Sequence, residues 1–215
     1  MLQRVHPGRQ SPGRPIKRAV DIARRAVRVL LIAAVSLSLI YARVVAAADQ
    51  DSAGEYELKA AMLYNLMKFV DWPNAGPGDT KAARVVCVAG WDPFGKSLDA
   101  AVANKSVNGR RIEIRRFEKA LDQNNFKDCD VLYVSSSERR DLDHIVSGLQ
   151  GADVLTVGEM NRFAERGGMV QFALVDKQVR LEVNLDAVSH TKLKISSKLL
   201  TLARIVRERE MAAGT

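Results

Sequence analysis

Between Glu55 and Phe69 the apolar residues Leu58, Ala61, Met62, Leu66 and Phe69 recur at three- and four-residue spacings, with Asn65 on the same side. That period predicts an amphipathic helix. Asp71-Trp72-Pro73 closes it, because Pro73 disfavours helical backbone at Trp72. The pattern then changes. Arg84–Trp91 (RVVCVAGW) is almost continuously apolar, as expected of a strand covered on both faces. Asp130–Ser135 and Asp153–Val157 repeat that signature. Between Trp91 and Asp130 the chain predicts a short helix over 96–103, a strand over Val107–Phe117 and a short helix over Glu118–Phe126. Ser135-Ser136-Ser137-Glu138 is a helix N-cap signal. Leu142, Ile145, Val146 and Leu149 form the apolar stripe of the helix it opens. A brief helix over 160–165 stops at Gly167-Gly168.

Met169–Val175 and Gln178–Asn184 flank Asp176-Lys177 and read as a β-hairpin. In its second strand Val179, Leu181, Val183 and Leu185 alternate with Arg180, Glu182 and Asn184, so one face is apolar and one polar. Residues 195–209 predict a last helix, with Leu199, Leu202, Ala203 and Val206 on one side. Strands alternating with helices imply an α/β fold. The expectation is a single layered domain over 55–209: a mixed, mostly parallel sheet flanked by helices, then a C-terminal β-hairpin and a closing helix. Residues 49–54 are polar and expected to be disordered, and 74–83 form a Gly/Pro-rich loop.

The first 48 residues follow another rule. Arg14, Lys17, Arg18, Arg24, Arg25 and Arg28 precede an apolar run from Val29 to Tyr41, and Ala46-Ala47-Ala48 ends the segment. That order is the layout of a cleaved secretory signal, with an N-terminal anchor as the alternative. The run is shorter than the ~20 residues a membrane span needs. Nine of the 33 cations and one of the 25 anions lie in this segment, leaving 24 of each in the rest. The formal charge of +8 therefore belongs to the leader. A basic patch for nucleic acid is not expected.

Candidate chemistry is sparse. His144 and His190 have no Cys or Asp at ligand spacing, so no metal site is expected. No phosphate-binding glycine loop or nucleophile elbow is present. Ser135-Ser136-Ser137 reads as a cap rather than a nucleophile. No catalytic residue and no cofactor is expected. The chain has two cysteines, Cys87 and Cys129. In an exported protein the pair is a disulfide candidate; two buried free thiols are the alternative.

Several motifs, in order, resemble the YfiR family of periplasmic regulators (YfiR/HmsC-like). The first is Glu55-Tyr56-Glu57-Leu58-Lys59-Ala60-Ala61-Met62-Leu63-Tyr64-Asn65 with Phe69 and Trp72-Pro73. Cys87-Val88-Ala89-Gly90 with Asp92-Pro93-Phe94-Gly95, and Cys129-Asp130-Val131-Leu132-Tyr133-Val134-Ser135, follow. Val154-Leu155-Thr156-Val157-Gly158 with Phe163-Ala164 and Gly167-Gly168-Met169 comes next. The longest stretch is Val179-Arg180-Leu181-Glu182-Val183-Asn184-Leu185-Asp186-Ala187 with Leu193-Lys194-Ile195-Ser196-Ser197-Lys198-Leu199-Leu200.

The resemblance implies a non-enzymatic periplasmic repressor. Its partner would be the periplasmic sensor domain of an inner-membrane diguanylate cyclase, and its effect would be to lower cyclic di-GMP and biofilm formation. It also implies a homodimer and a cysteine pair matching Cys87 and Cys129. Some members carry a second pair nearer the C-terminus, which this chain lacks. A repressor must bind one state of its partner more tightly than the other. Arg180, Glu182, Asn184, Leu185 and Val188 are the expected partner-binding residues. Their alternative roles are a cross-strand ion pair for Arg180 and Glu182 and core packing for Leu185. The resemblance also implies sensing of small molecules, and Lys194, Ser196 and Ser197 are the expected ligand contacts; a helix cap is the alternative for the serines. The alternative function is a periplasmic small-molecule-binding sensor module, which can coexist with repression if a ligand tunes the repressor.

Overall fold

The computed structural model describes residues 53–73, 83–118 and 126–207. The leader, its cleavage point, most of the expected 118–126 helix and the last residues of the expected C-terminal helix lie outside them. Helix α1 runs over 53–68. It is followed by β1 (Val70–Asp71), β2 (Ala83–Ala89), α2 (Lys96–Val102), β3 (Ser106–Val107), β4 (Arg110–Phe117) and β5 (Val131–Val134). Then come α3 (Leu142–Gly148), β6 (Leu155–Gly158), β7 (Val170–Val175), β8 (Gln178–Asn184) and α4 (Leu185–Ser189). The described chain closes with β9 (Lys194–Ile195), α5 (Ser197–Leu200) and β10 (Ala203–Val206). Single 3₁₀ turns occupy Ser136–Glu138 and Ala164–Arg166.

Eight strands form one sheet in the order β10-β8-β7-β6-β5-β2-β4-β3, and β1 pairs with β9 in a separate two-stranded ribbon. In the large sheet only β3–β4 and β7–β8 are antiparallel; every other neighbouring pair is parallel. The expected α/β class with a mixed, mostly parallel sheet is what the chain adopts.

Two layers cover this sheet. Side chains alternate along a strand, so each central strand feeds both. Val86 and Val88 of β2, and Val131 and Tyr133 of β5, pack with Leu63, Met67 and Leu98 of α1 and α2. Cys87 and Ala89, with Leu132 and Val134, pack on the other side against Leu142, Ile145 and Phe163. This double burial is why β2 and β5 read as unbroken apolar runs. Phe163 lies between two glycines: a Cβ on Gly158 would come within 2.6 Å of the ring, and one on Gly168 within 2.2 Å.

Helix α1 is held to the sheet by a buried polar cluster. Lys59, 3% exposed, donates to Glu159 Oε2 at 2.5 Å and also pairs with Glu55. The Tyr56 hydroxyl donates to Glu159 Oε1 at 2.9 Å. Tyr133 is fully buried nearby, and the Phe94 ring meets both tyrosines edge-on. Burial first, and the Glu159 carboxylate second, push both tyrosine hydroxyls above the usual phenol range.

Four sequence expectations need correction. Residues 53 and 54, expected to be disordered, already belong to α1. The helix expected over 160–165 is a single 3₁₀ turn at Ala164–Arg166. Residues 107–117 are not one strand but a hairpin. Asn108 and Gly109 take φ of 52° and 75°, the two positive angles a type I′ turn requires. The closing helix is shorter than expected: α5 holds four residues and the chain then extends as β10, parallel to β8. Leu202, assigned to the apolar stripe, is 76% exposed. The open edge of β8 offers a ladder of backbone hydrogen bonds, and Ile205 and Val206 are β-branched residues suited to a strand.

Candidate partner-binding surface

Strands β7, β8 and β10 form one end of the sheet. Asp176 and Lys177 make the hairpin turn at φ of 50° and 60°. The register sets Leu174 beside Val179, Phe172 beside Leu181, Leu181 beside Ala203 and Val183 beside Ile205. Neighbours in register share a face, so these residues form one apolar row. Its inner part, Phe172 and Val183, belongs to the core under α1. Its outer part emerges: Leu174 is 58% and Ile205 40% exposed. Val175, on the other face of the hairpin, and Leu202, just before β10, are exposed as well.

The polar face carries the residues that alternation singled out. Arg180 is exposed and donates to Gln178 Oε1 at 2.6 Å. Glu182 is largely buried and accepts from Arg204 Nε at 3.0 Å and Nη2 at 2.5 Å. Glu182 thus forms a cross-strand ion pair, with a residue of β10, a strand that the sequence alone did not predict. Asp186 pairs with Arg207 at 2.8 Å just beyond. Asn184 is fully buried: its Oδ1 accepts from Ala187 N at 3.0 Å and its Nδ2 donates to Ala164 O at 2.7 Å. It caps α4 from inside the fold. Val188 is buried in the core and Leu185 packs half-buried against it.

Lys194, Ser196 and Ser197 are neighbours on β9 and the start of α5. Ser196 Oγ accepts from Lys198 N at 3.3 Å, the cap of α5, and Ser196 N donates to Phe69 O at 2.8 Å. Lys194 sits opposite Asp71 in the β1–β9 ribbon. Lys194 and Ser197 are exposed.

Cys87 and Cys129 form a disulfide, with Cα atoms 6.0 Å apart and a sequence separation of 42. It lies in the second core layer, where β2 meets the segment entering β5.

The crevice where parallel α/β sheets hold ligands is filled here. Strands β4 and β5 both flank β2, so the chain changes direction there, and the carboxyl ends of β2 and β5 bound the switch point. Trp91 N donates to Ser137 Oγ at 3.0 Å. A Cβ on Gly90 would lie 2.2 Å from that same oxygen, so only glycine admits the contact. Ser135 caps the following 3₁₀ turn through its Oγ. The serine run is thus spent on closing the crevice. Among the described residues no three His, Cys, Asp or Glu side chains gather as a metal requires. None of their helices is long and apolar enough to cross a membrane.

Two comparisons bear on this arrangement. The sequence model of a family described as YfiR/HmsC-like matches residues 56–204. A solved structure of a conserved domain protein from Vibrio cholerae O1 biovar El Tor has a similar fold, with a TM-score of 0.50 at 13% identity. The match covers 71% of this chain and 60% of that one, so this chain spans less than two thirds of its length. At that identity the likeness speaks for the fold alone.

Proposed function

The chain belongs to the YfiR/HmsC-like family, and on that premise we propose that it is a periplasmic, non-enzymatic repressor of an inner-membrane diguanylate cyclase. The observation that carries the proposal is the family match, which spans the domain from α1 to β10. The signal-like layout of the first 48 residues supports an exported protein. The buried disulfide suits an oxidising compartment.

The repressor docks through the β7–β8–β10 end of the sheet. That end carries an emerging apolar row, Leu174 and Ile205, on one face and the cations Arg180 and Arg204 on the other, both reaching the exposed strand β10. Apolar anchors and arginine are both enriched at binding surfaces. Arg180, Glu182 and Leu185 contribute directly. Asn184 and Val188 act from within, by holding α4 in place. A repressor of this kind shifts the cyclase by its difference in affinity for the inactive and active states.

The test is binding of the purified protein to the periplasmic domain of the cyclase encoded nearest to it, with and without reductant. Micromolar or tighter binding, lost on Arg180→Glu, agrees with the proposal. Binding that reductant abolishes assigns the disulfide a regulatory role. The absence of binding in both states defeats the repressor reading.

A further inference from the structure

At the amino-terminal edge of the sheet centre, where β2 and β5 begin, the fold encloses a second polar site. Arg84 of β2 is 1% exposed and stacks on the Trp72 ring at 4.9 Å. Its Nη1 donates to Asp130 Oδ1 at 2.8 Å. Its Nε and Nη2 have no hydrogen-bond partner, and neither has the indole Nε1 of Trp72. Three buried donors in contact side chains are thus unsatisfied, where folded proteins leave very few. Arg84 and Trp72 line a cavity of about 270 Å³ together with Lys127, Asp130 and Asp153. That is far more than one water needs and a little below the ~300 Å³ at which drug-sized sites begin.

The donors specify the occupant. Nε and Nη2 are one fork of the guanidinium, the geometry that takes a planar carboxylate through two parallel hydrogen bonds. Lys127, exposed at the cavity, adds a second cation. The two acids are already engaged: Asp130 by Arg84 and by Val85 N at 2.8 Å, and Asp153 by Lys192 N at 2.8 Å. We propose that this cavity binds a small carboxylate, held by the free fork of Arg84 with Lys127 at its mouth. Both fork nitrogens are shielded from bulk water, and in this proposal the Trp72 indole, stacked on Arg84, is the side chain that moves aside as the ligand enters. The site is separate from the partner surface and does not depend on the repressor reading.

The chain has two tryptophans, and Trp91 is 68% exposed. Trp91→Phe therefore leaves Trp72 as the sole tryptophan, whose emission is read with excitation above the tyrosine absorption band. This protein is titrated with sodium acetate and with sodium succinate, against sodium chloride at matched ionic strength. The expected result is a saturable change in emission with at least one carboxylate. Arg84→Lys, which keeps the charge and removes the fork, weakens it at least tenfold. Lys127→Ala, at an exposed position, weakens it several-fold. A linear or absent response to both carboxylates overturns the proposal, as do unchanged affinities in both variants. Tighter binding of sulfate, a tetrahedral anion, overturns it too. If Arg84→Lys does not fold, a crystal structure grown with the better probe decides: carboxylate oxygens on Nε and Nη2 uphold the site, and ordered water alone refutes it.

Discussion

Glu182 and Arg204 face each other in register across β8 and β10, and two N–H groups of Arg204 converge on one oxygen of Glu182. The carboxylate is largely buried while the guanidinium is largely exposed. Their exchange is small in isolation, within the ~0–1 kcal/mol typical of solvent-screened pairs. Removing only the arginine leaves a poorly hydrated carboxylate at the sheet edge. Arg204→Ala is expected to cost about 1 kcal/mol and Glu182→Gln less, read from the midpoints of urea denaturation. Equal losses would mean that the burial of Glu182 is immaterial.

The disulfide closes a loop of 42 residues. On the chain-entropy account, that restriction of the unfolded state contributes about 4 kcal/mol. Cys87→Ala combined with Cys129→Ala should lower stability by ~3–4 kcal/mol while leaving the far-ultraviolet circular dichroism unchanged. A loss under ~1 kcal/mol would show that the unfolded chain is compact near these residues without the bond.

Lys59 and Glu159 are both largely buried, and each depends on the other. Glu159→Ala strands the ammonium beside Glu55 and the Tyr56 ring, and Lys59→Met strands the Glu159 carboxylate. Breaking one side of a buried pair costs about 3–5 kcal/mol, more than replacing both sides by apolar groups of similar shape. Lys59→Met combined with Glu159→Leu should therefore be less destabilising by chemical denaturation than Glu159→Ala alone. A double variant as unstable as the single one would assign the worth of this cluster to its packing rather than to neutralisation of its charges.

The tyrosines of that cluster set a pH dependence. Their folded-state pKa values are raised, first by burial and then by Glu159. The folded protein thus holds phenol protons that the unfolded chain releases from about pH 10. Stability from this source is fully present below pH 10 and declines as pH rises above it. Tyr133→Phe should flatten the alkaline limb of stability against pH between 9 and about 11. An unchanged limb would place the alkaline sensitivity elsewhere.

Gly168→Ala sets a Cβ against the Phe163 ring at 2.2 Å. Overpacking of that kind costs about 1–3 kcal/mol. Gly168→Ala with Phe163→Leu should recover part of the loss, which a double-mutant cycle measures. Additive effects would mean that the backbone, not the ring, resists the methyl group.

The central strands are legible in the sequence because burial on both faces leaves an unbroken apolar run, as at Val85–Ala89 and Val131–Val134. The β7–β8 hairpin is equally legible, since period-two alternation resumes on either side of Asp176-Lys177. Strand β10 is not. Leu199, Leu202, Ala203 and Val206 satisfy the helical period, and only the open edge of β8, whose paired residues lie 22 positions earlier in sequence, decides for extension. Asn108-Gly109 is a strong turn signal, overridden in the reading by the alternation of Ile112 and Ile114 beyond it. Asn184 alternates with apolar neighbours and so counts as outward-facing, yet it stands where a strand passes into a helix, and its side chain is drawn inward as the cap. The Arg84–Trp72 contact has no sequence signature, because nothing local joins the end of α1 to the start of β2.

The sheet order also prescribes a schedule for a chain that emerges amino-terminus first. Strand β2 is made first and lies between β4 and β5. Apart from β3, whose partner follows after a two-residue turn, each later strand adds to an edge already formed, outward to β10. Only β1 must wait, since Val70 and Asp71 pair with Ile195 and Lys194 near the far end of the domain. The first helix can settle on the growing sheet early, but its exit is latched last. Completion of the fold is thus tied to arrival of the final residues, and a chain cut before β9 keeps its sheet centre while losing the clasp on its first helix.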